Sequence, residues 1–286
     1  MKNYFIEQFE KSGLAKISDF NSESYYELFT KLEDCQKNYF EKLQSISTED
    51  YFKKWPKDTL HWWSRIWEYP YVYYHINKLL QTKISRNISI LDFGCGVNFF
   101  PLEISRLGHE VTCLDNDKMC INTLLNFKHK YSETNIRPIL NSGINIPLPD
   151  KSIDIIYSIS VFEHVNQLGL LVKEIYRVMK DEGRLIITFD VSLNESHELS
   201  KKSYEEFVKE LFTRFSLVYE YKPIHPSDIM NSRNSPLPYN NKSFKEKIIF
   251  ALKNYLIRPI LLKKPHIFPQ QLVLAVEGMV LSKSIY

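Results

Sequence analysis

The sequence predicts an α/β protein, in which a doubly wound, mostly parallel sheet of seven strands carries a helical, aromatic-rich cap. The first observation is an alternation, from residue 88 onward, of short apolar runs with longer segments of helical apolar spacing. The second is a turn with two glycines directly after the first apolar run. The third is a segment dense in aromatic residues upstream of that run. Strands that alternate with helices are typical of a parallel sheet with helices on both faces.

Each element of the core follows from a local pattern. Short apolar runs predict six successive strands, at residues 88–93, 111–115, 137–140, 152–160, 184–189 and 215–221. Apolar residues at helical spacing predict the helices between them, at residues 99–107, 118–130, 168–180 and 203–212. The seventh strand, at residues 272–281, comes after a long insertion.

The cap is predicted to be helical. Residues 23–43 place apolar side chains at helical spacing, which predicts one long helix. Residues 51–80 are rich in aromatic side chains and predict short helices that are broken at Pro56 and Pro70.

Composition limits the function classes. The 286 residues have a net charge of +3 and 44% hydrophobic residues, as in an ordinary globular protein. The sequence predicts no long basic groove, and this argues against a nucleic acid as partner. Four scattered cysteines, no apolar leader and no long apolar run predict a cytoplasmic protein. Residues 243–265 predict a basic amphipathic helix, which suits either a solvated face of the cap or peripheral contact with an anionic membrane.

The glycine turn, in the stretch LDFGCGVNFFP, predicts a ligand site. Gly94 and Gly96 lack side chains, so the backbone can approach a ligand closely at the end of the first strand. Asp115 closes the next strand, where a carboxylate can accept the hydroxyl protons of a ribose. Phe99 stands where a dinucleotide fingerprint has its third glycine, which argues against a nicotinamide-dependent oxidoreductase. The remaining alternative is a glycine turn that binds nothing.

The turn and its acidic partner resemble motif I and the acidic loop of the class I S-adenosylmethionine-dependent methyltransferases. Residues 144–165, INIPLPDKSIDIIYSISVFEHV, are similar to the strand-four segment of that family, and residues 171–189 are similar to the helix and strand that follow. The resemblance covers roughly residues 86–190 and is greatest to the small-molecule and ubiquinone-type branch. It implies a Rossmann-like fold and S-adenosyl-L-methionine as cofactor, and a cofactor without pyrophosphate does not need the third glycine.

The resemblance also implies domains and a cofactor site. The expected domains are an N-terminal helical cap at 1–85, a methyltransferase core at 86–222, a cap insertion at 223–270 and a final core strand at 271–286. The expected cofactor residues are Asp92, Gly94, Cys95, Gly96, Asp115, Asn116, Ser142, Gly143, Ser160 and Arg65. Asp92 would meet the ammonium group of the cofactor and Arg65 its carboxylate. Ser142 stands where many relatives carry Asp for the adenine amino group.

The acceptor site is predicted at the end of the fourth strand. His164 is the candidate general base, with Glu163 beside it. Alternatively, this pair holds a divalent metal ion or only orders the loop, and no metal ligand is assigned. Four aromatic residues are candidates for the acceptor pocket or, alternatively, for the core of the cap: Trp63, Trp67, Tyr69 and Phe162.

The function that these observations predict is transfer of a methyl group to an oxygen of a small molecule or saccharide. Two alternatives stay open. One is a scaffold of the same fold that binds the cofactor without turnover, and the other is a methyltransferase that acts on a protein or nucleic acid. The two differ from the main prediction in whether a small acceptor is methylated at all.

Overall fold

The computed structural model describes residues 4–46, 59–82, 88–132, 134–141, 143–193, 201–236 and 273–284. Two features that the sequence analysis singled out, Pro56 and the basic helix predicted over 243–265, lie outside these residues. Most of the predicted insertion at 223–270 lies outside them as well. Among the helices that the structure describes, none combines the length and the apolar composition that a membrane crossing requires.

An eight-stranded mixed sheet forms the centre of the fold. Its strands are β1 (Gly13–Leu14), β2 (Ile90–Phe93), β3 (Val111–Asp115), β4 (Ile136–Leu140), β5 (Ile153–Ile159), β6 (Met179–Ser192), β7 (Phe215–Leu217) and β8 (Leu274–Lys283). The order is β1-β8-β6-β5-β2-β3-β4, with β7 also paired to β8. The five neighbouring strands β4, β3, β2, β5 and β6 are parallel to one another. Strand β8 is antiparallel to β6, β1 and β7. The predicted α/β, Rossmann-like architecture is confirmed.

Within the described ranges, six α-helices cover the two faces of the sheet. They are α1 (Glu23–Leu43), α2 (Arg65–Thr82), α3 (Phe100–Ser105), α4 (Lys118–Lys130), α5 (Leu168–Val178) and α6 (Lys201–Phe212). Alternate residues of β2 enter two different hydrophobic clusters, Ile90 on the side of α1 to α4 and Leu91 on the side of α5 and α6. This alternation is what a strand buried on both faces requires.

The strands that pair with β8 differ in two ways from the sequence prediction. A strand was predicted over 215–221, but β7 ends at Leu217. Beyond it the chain turns to the N-terminal segment, where the Tyr221 ring lies against Gly13 and its hydroxyl donates to Glu277 at 2.6 Å. Gly13 belongs to β1, the strand that the sequence analysis did not predict. Because β1 joins the sheet, the division into cap and core stays a prediction.

Helix α2 is fixed directly on the sheet. A Cβ atom on Gly278 of β8 would lie 2.7 Å from Trp67 and 2.8 Å from Tyr71, so only glycine admits the two rings. These rings stack on each other with centroids 4.5 Å apart. The close approach holds the first turns of α2 over the carboxyl ends of the central strands.

The predicted break at Pro70 is wrong, because α2 runs through this residue. Pro70 has no N–H to donate to the carbonyl of Ile66, four residues earlier. The hydroxyl of buried Tyr25 in α1 donates to that carbonyl at 2.9 Å instead. The tertiary contact therefore replaces the hydrogen bond that the proline removes.

Removal of this hydroxyl should destabilise the fold. We expect Tyr25→Phe to lower the free energy of unfolding by about 1–3 kcal/mol in urea titrations, because the Ile66 carbonyl is left without a donor. The matched control is Tyr26→Phe, a ring that is 55% exposed. In a Pro70→Ala background the new N–H can satisfy Ile66, so the effect of Tyr25→Phe should fall below about 1 kcal/mol. An equal effect in both backgrounds would contradict this explanation.

Candidate active site

The glycine turn follows β2, which lies between β3 and β5 in the sheet. The order of the strands reverses at this position. Both glycines have left-handed backbone angles, φ 76° at Gly94 and 54° at Gly96. The N–H of Gly94 donates to the carbonyl of Leu114 in β3 at 2.8 Å. A Cβ atom on Gly94 would lie 2.4 Å from the Val161 side chain. The turn therefore contacts the ends of both β3 and β5, at the position where doubly wound folds bind ligands.

Asp115 is held in one orientation at the end of β3. Its Oδ2 accepts the N–H of Gly96 at 2.8 Å, and its Oδ1 accepts the N–H of Asp117 at 2.9 Å. The side chain is half-buried, and Asn116 beside it is exposed. A carboxylate oxygen can accept more than one hydrogen bond, so both oxygens can still accept a pair of hydroxyl groups. Gly143 is exposed on the loop after β4, and Ser142 lies outside the described residues.

Asp92 is a buried carboxyl group at the base of the same turn. Burial raises its pKa to about 8, against the opposing effect of the Tyr157 hydroxyl, which donates to Oδ2 at 2.9 Å. The negative charge of Asp115 raises the pKa further. A cation beside Asp92 would stabilise its ionised form and lower this pKa. The position is therefore suited to a positively charged part of a ligand.

A buried network joins α2 to the ends of β5 and β6. The carboxylate of Glu68 is fully buried, and its Oε1 accepts hydrogen bonds from Ser160 at 2.8 Å and Thr188 at 2.7 Å. The Arg65 guanidinium donates to Glu68 Oε2 and also to Ser160 Oγ. Burial lowers the pKa of Arg65, but the charge of Glu68, together with smaller effects of Tyr69 and Asp190, holds the pKa above its ordinary value. Arg65 and Ser160, both predicted cofactor residues, are thus brought together.

Ser160 also has an unusual backbone. Its φ is 48°, in the left-handed region that a serine rarely adopts. The Ser160 N–H donates to the Thr188 carbonyl at 2.9 Å, and its hydroxyl lies in the Glu68 network. Strained residues of this kind persist only where the surroundings fix them, and they are common at active sites.

Glu163 and His164 are neighbours in sequence but lie in different environments. They form a short 3-10 helix after β5 with Phe162. The Glu163 carboxylate is turned inward, and its Oε1 accepts the N–H of Asp190 at 3.2 Å. Its Oε2 is buried and has no hydrogen-bond partner among the residues that the structure describes. The His164 side chain is exposed.

The surroundings of Glu163 change its acidity. Burial, together with the nearby charge of Glu68, raises the pKa of Glu163 to about 8. Its hydrogen bonds to backbone N–H groups and the charge of Arg65 act in the opposite direction. A carboxyl group with this pKa can exchange a proton near neutral pH.

Three of the four aromatic candidates belong to the core. Trp67 is fully buried and donates its indole N–H to Asp19 at 2.8 Å, and Phe162 is fully buried. Tyr69 is buried against Phe100, with ring centroids 4.9 Å apart. Trp63 is half-buried. A role of these rings in acceptor binding stays a prediction, as does the assignment of each cofactor and catalytic residue.

The sequence analysis missed Glu68 and Asp92's partner Tyr157. A local signal for Glu68 exists, because an acidic residue three positions after Arg65 lies on the same face of a helix. No local signal marks Tyr157, which is one tyrosine within an apolar strand. Its partnership with Asp92 depends on the pairing of β2 with β5, in which the two residues are opposite each other.

Comparisons with known proteins agree with this geometry. Residues 91–187 match the family model described as a methyltransferase domain. An uncharacterized protein of Methanocaldococcus jannaschii is 27% identical over 163 residues, which is 56% of this chain and 66% of that protein. The ubiquinone biosynthesis O-methyltransferase of Pelagibacter ubique is 30% identical over 39% of this chain and 44% of its own length. The sterol 4-C-methyltransferase of Caenorhabditis elegans is 26% identical over 46% of this chain and 39% of its own length.

Among solved structures, a putative sarcosine dimethylglycine methyltransferase from Galdieria sulphuraria superposes with a TM-score of 0.49 at 17% identity, over 83% of this chain and 98% of that one. The chain spans less than two thirds of the length of the first curated relatives it matches. Residues 91–187 form a methyltransferase domain of the S-adenosylmethionine-dependent class I family, as the sequence predicted. The cofactor of this family is S-adenosyl-L-methionine.

The residues at the strand ends fit this cofactor. Asp115 has two oriented carboxylate oxygens, which would accept hydrogen bonds from the ribose hydroxyls. Asp92 offers a buried carboxyl group whose ionised form a cationic group would stabilise. Gly94 and Gly96 themselves carry no side chain in this left-handed turn, and Val161 packs against Gly94.

Proposed function

We propose that the protein transfers a methyl group from S-adenosyl-L-methionine to a hydroxyl group of a small molecule, with Glu163 as the general base. The observation that carries this proposal is Oε2 of Glu163, which is buried and has no hydrogen-bond partner within the part of the chain that the structure describes. A buried carboxylate oxygen without a partner is unfavourable in the isolated protein. A hydroxyl group of an acceptor would supply the missing hydrogen bond.

The position of Glu163 supports this role. Val161, two residues earlier, packs against Gly94 of the glycine turn. Ser160 is bonded to Arg65 and Glu68, and the Glu163 carboxylate is bonded to the backbone of Asp190 near the end of β6. The short segment after β5 is therefore held on three sides. Glu163 lies at the same edge of the sheet as the cofactor residues.

The chemistry requires little of the protein beyond orientation and one proton transfer. When bound, the cofactor supplies a methyl group that is already activated on a sulfonium sulfur. With the cofactor bound, Glu163 Oε2 would accept the proton of the acceptor hydroxyl, and the oxygen of that hydroxyl would receive the methyl group that the cofactor supplies. The products are a methyl ether and S-adenosylhomocysteine, and the proton passes from Glu163 to solvent.

The class of acceptor rests on the base and on the relatives. A carboxylate base is useful when the attacking atom carries a proton, as a hydroxyl oxygen does. The Pelagibacter relative is named an O-methyltransferase of ubiquinone biosynthesis, and a Buchnera relative a malonyl-[acyl-carrier protein] O-methyltransferase. Other relatives are sterol C-methyltransferases. We favour a phenol or saccharide hydroxyl, and membrane contact through residues 243–265 stays a prediction.

Binding of the cofactor is the first test. We expect calorimetric titration with S-adenosyl-L-methionine to show micromolar binding, and Asp115→Ala to weaken it by at least about tenfold, because two charge-assisted hydrogen bonds are lost. The matched control is Glu182→Ala, an exposed residue of β6. Absence of binding by the unmodified protein would contradict the proposal.

The second test concerns the base. In a screen of phenols and sugar nucleotides with isotopically labelled cofactor, Glu163→Gln should lower kcat by about 10²–10⁴ and leave cofactor affinity nearly unchanged. The base must be ionised, so kcat of the unmodified enzyme should rise with pH and level above the Glu163 pKa of about 8. This rise should disappear in Glu163→Gln.

His164→Gln is the matched control for the base. It should retain most of the rate and the same pH profile. Loss of the pH dependence in His164→Gln but not in Glu163→Gln would make His164 the base. Cofactor binding without methylation of any acceptor would favour the scaffold alternative.

A further inference from the structure

Three of the four cysteines meet beside the cofactor turn. Cys95 lies between the two glycines, Cys113 lies in β3, and Cys120 lies in the first turn of α4. All three are buried free thiols. The proposed methyl transfer uses none of the three thiol groups.

The geometry of two of these thiols and one carboxylate is that of a metal site. The Sγ atoms of Cys95 and Cys120 and an oxygen of Asp115 lie within 4.8 Å of one another. A tetrahedral zinc ion, with Zn–S bonds of about 2.3 Å and Zn–O bonds of about 2.0 Å, places its ligands roughly 3.5–3.8 Å apart. The donor atoms would therefore approach one another by up to about 1.3 Å when an ion binds. The Cys113 thiol, which contacts Cys95, is the nearest further sulfur.

We propose that Cys95, Cys120 and Asp115 form a binding site for a thiophilic divalent ion of the zinc class, and that this ion excludes the cofactor. Two thiolates and one carboxylate carry three negative charges and two soft donors, a set that selects zinc or cadmium over magnesium or calcium. The ion would join the glycine turn to the loop after β3. The site would therefore be a means of inhibition by metal.

Exclusion of the cofactor follows from shared atoms. Asp115 is the residue that we propose for the ribose hydroxyls, so this half of the inference rests on the proposed function. An ion on Asp115 would draw its carboxylate toward the thiols and away from the ribose position. By linkage, cofactor and metal must weaken each other by the same factor.

Metal binding should depend strongly on pH. Burial raises the pKa of Cys95 and Cys113, while a hydrogen bond with Cys95, followed by burial, raises that of Cys120. The charged groups that act on these thiols are Asp92 on β2, Asp115 on β3, Asp117 directly before α4 and Lys128 in the last turn of α4. Two thiol protons leave when the ion binds, so affinity should rise by up to about 100-fold per pH unit.

Cadmium titration of the reduced, metal-free full chain tests the site. Ultraviolet absorbance of the cadmium–thiolate bonds should saturate at one ion per chain. Cys120→Ser should weaken binding at least about 100-fold, because one of two thiolate ligands is lost. The matched control is Cys35→Ser, a thiol in α1 that donates to Glu103 at 3.1 Å, and it should bind cadmium as the unmodified protein does. S-adenosylhomocysteine should weaken cadmium binding at least about tenfold.

Two results would overturn the site: no cadmium–thiolate absorbance in the unmodified protein, or equal affinity in Cys120→Ser. Asp115→Asn keeps all three thiols and should also weaken binding, so the test holds even if Cys120→Ser does not fold. Cadmium binding that S-adenosylhomocysteine leaves unchanged would overturn the exclusion. A protein that binds cadmium but not the cofactor would refute the proposed function and leave the metal site standing.

Discussion

The site depends on one buried charge, the carboxylate of Glu68. A fully buried carboxylate is tolerated only when it is paired and hydrogen-bonded, because its transfer out of water costs roughly several kcal/mol. Glu68 satisfies this requirement with partners from three elements, Arg65 in α2, Ser160 after β5 and Thr188 in β6. Helix α2 is thereby fixed to the ends of β5 and β6, where we propose that the acceptor binds. Helix α2 and the sheet are joined here because the Glu68 carboxylate has hydrogen-bond partners in both.

The same charge sets the chemistry of its neighbours. Glu68 accepts a hydrogen bond from the hydroxyl of Ser160, a residue with a left-handed backbone at the start of the segment that carries Glu163. Burial is the main cause of the raised pKa of Glu163, and the charge of Glu68 raises this pKa further. Arg65 neutralises part of the negative charge, so that the pKa of Glu163 stays near 8. The network thus positions the proposed base and keeps it able to exchange a proton at neutral pH.

Local patterns predicted most of the fold and only part of the site. Helix α1 and helix α4 have the bounds that their apolar spacing predicted, since their caps and faces are encoded within the segments themselves. The passage of α2 through Pro70 depends on Tyr25, 41 positions from Ile66. The bond between Glu68 and Thr188 joins residues 120 positions apart. Contacts at such separations follow from packing of the whole chain, and no local pattern shows them.

We propose that the Glu68 network places Glu163 beside the cofactor. A crystal structure with S-adenosylhomocysteine tests it most directly. It should show the ribose hydroxyls on Asp115, the sulfur at the strand end beside Glu163, and the Arg65–Glu68 pair intact. A ligand bound elsewhere, or a Glu163 carboxylate turned away from the sulfur to solvent, would contradict the claim.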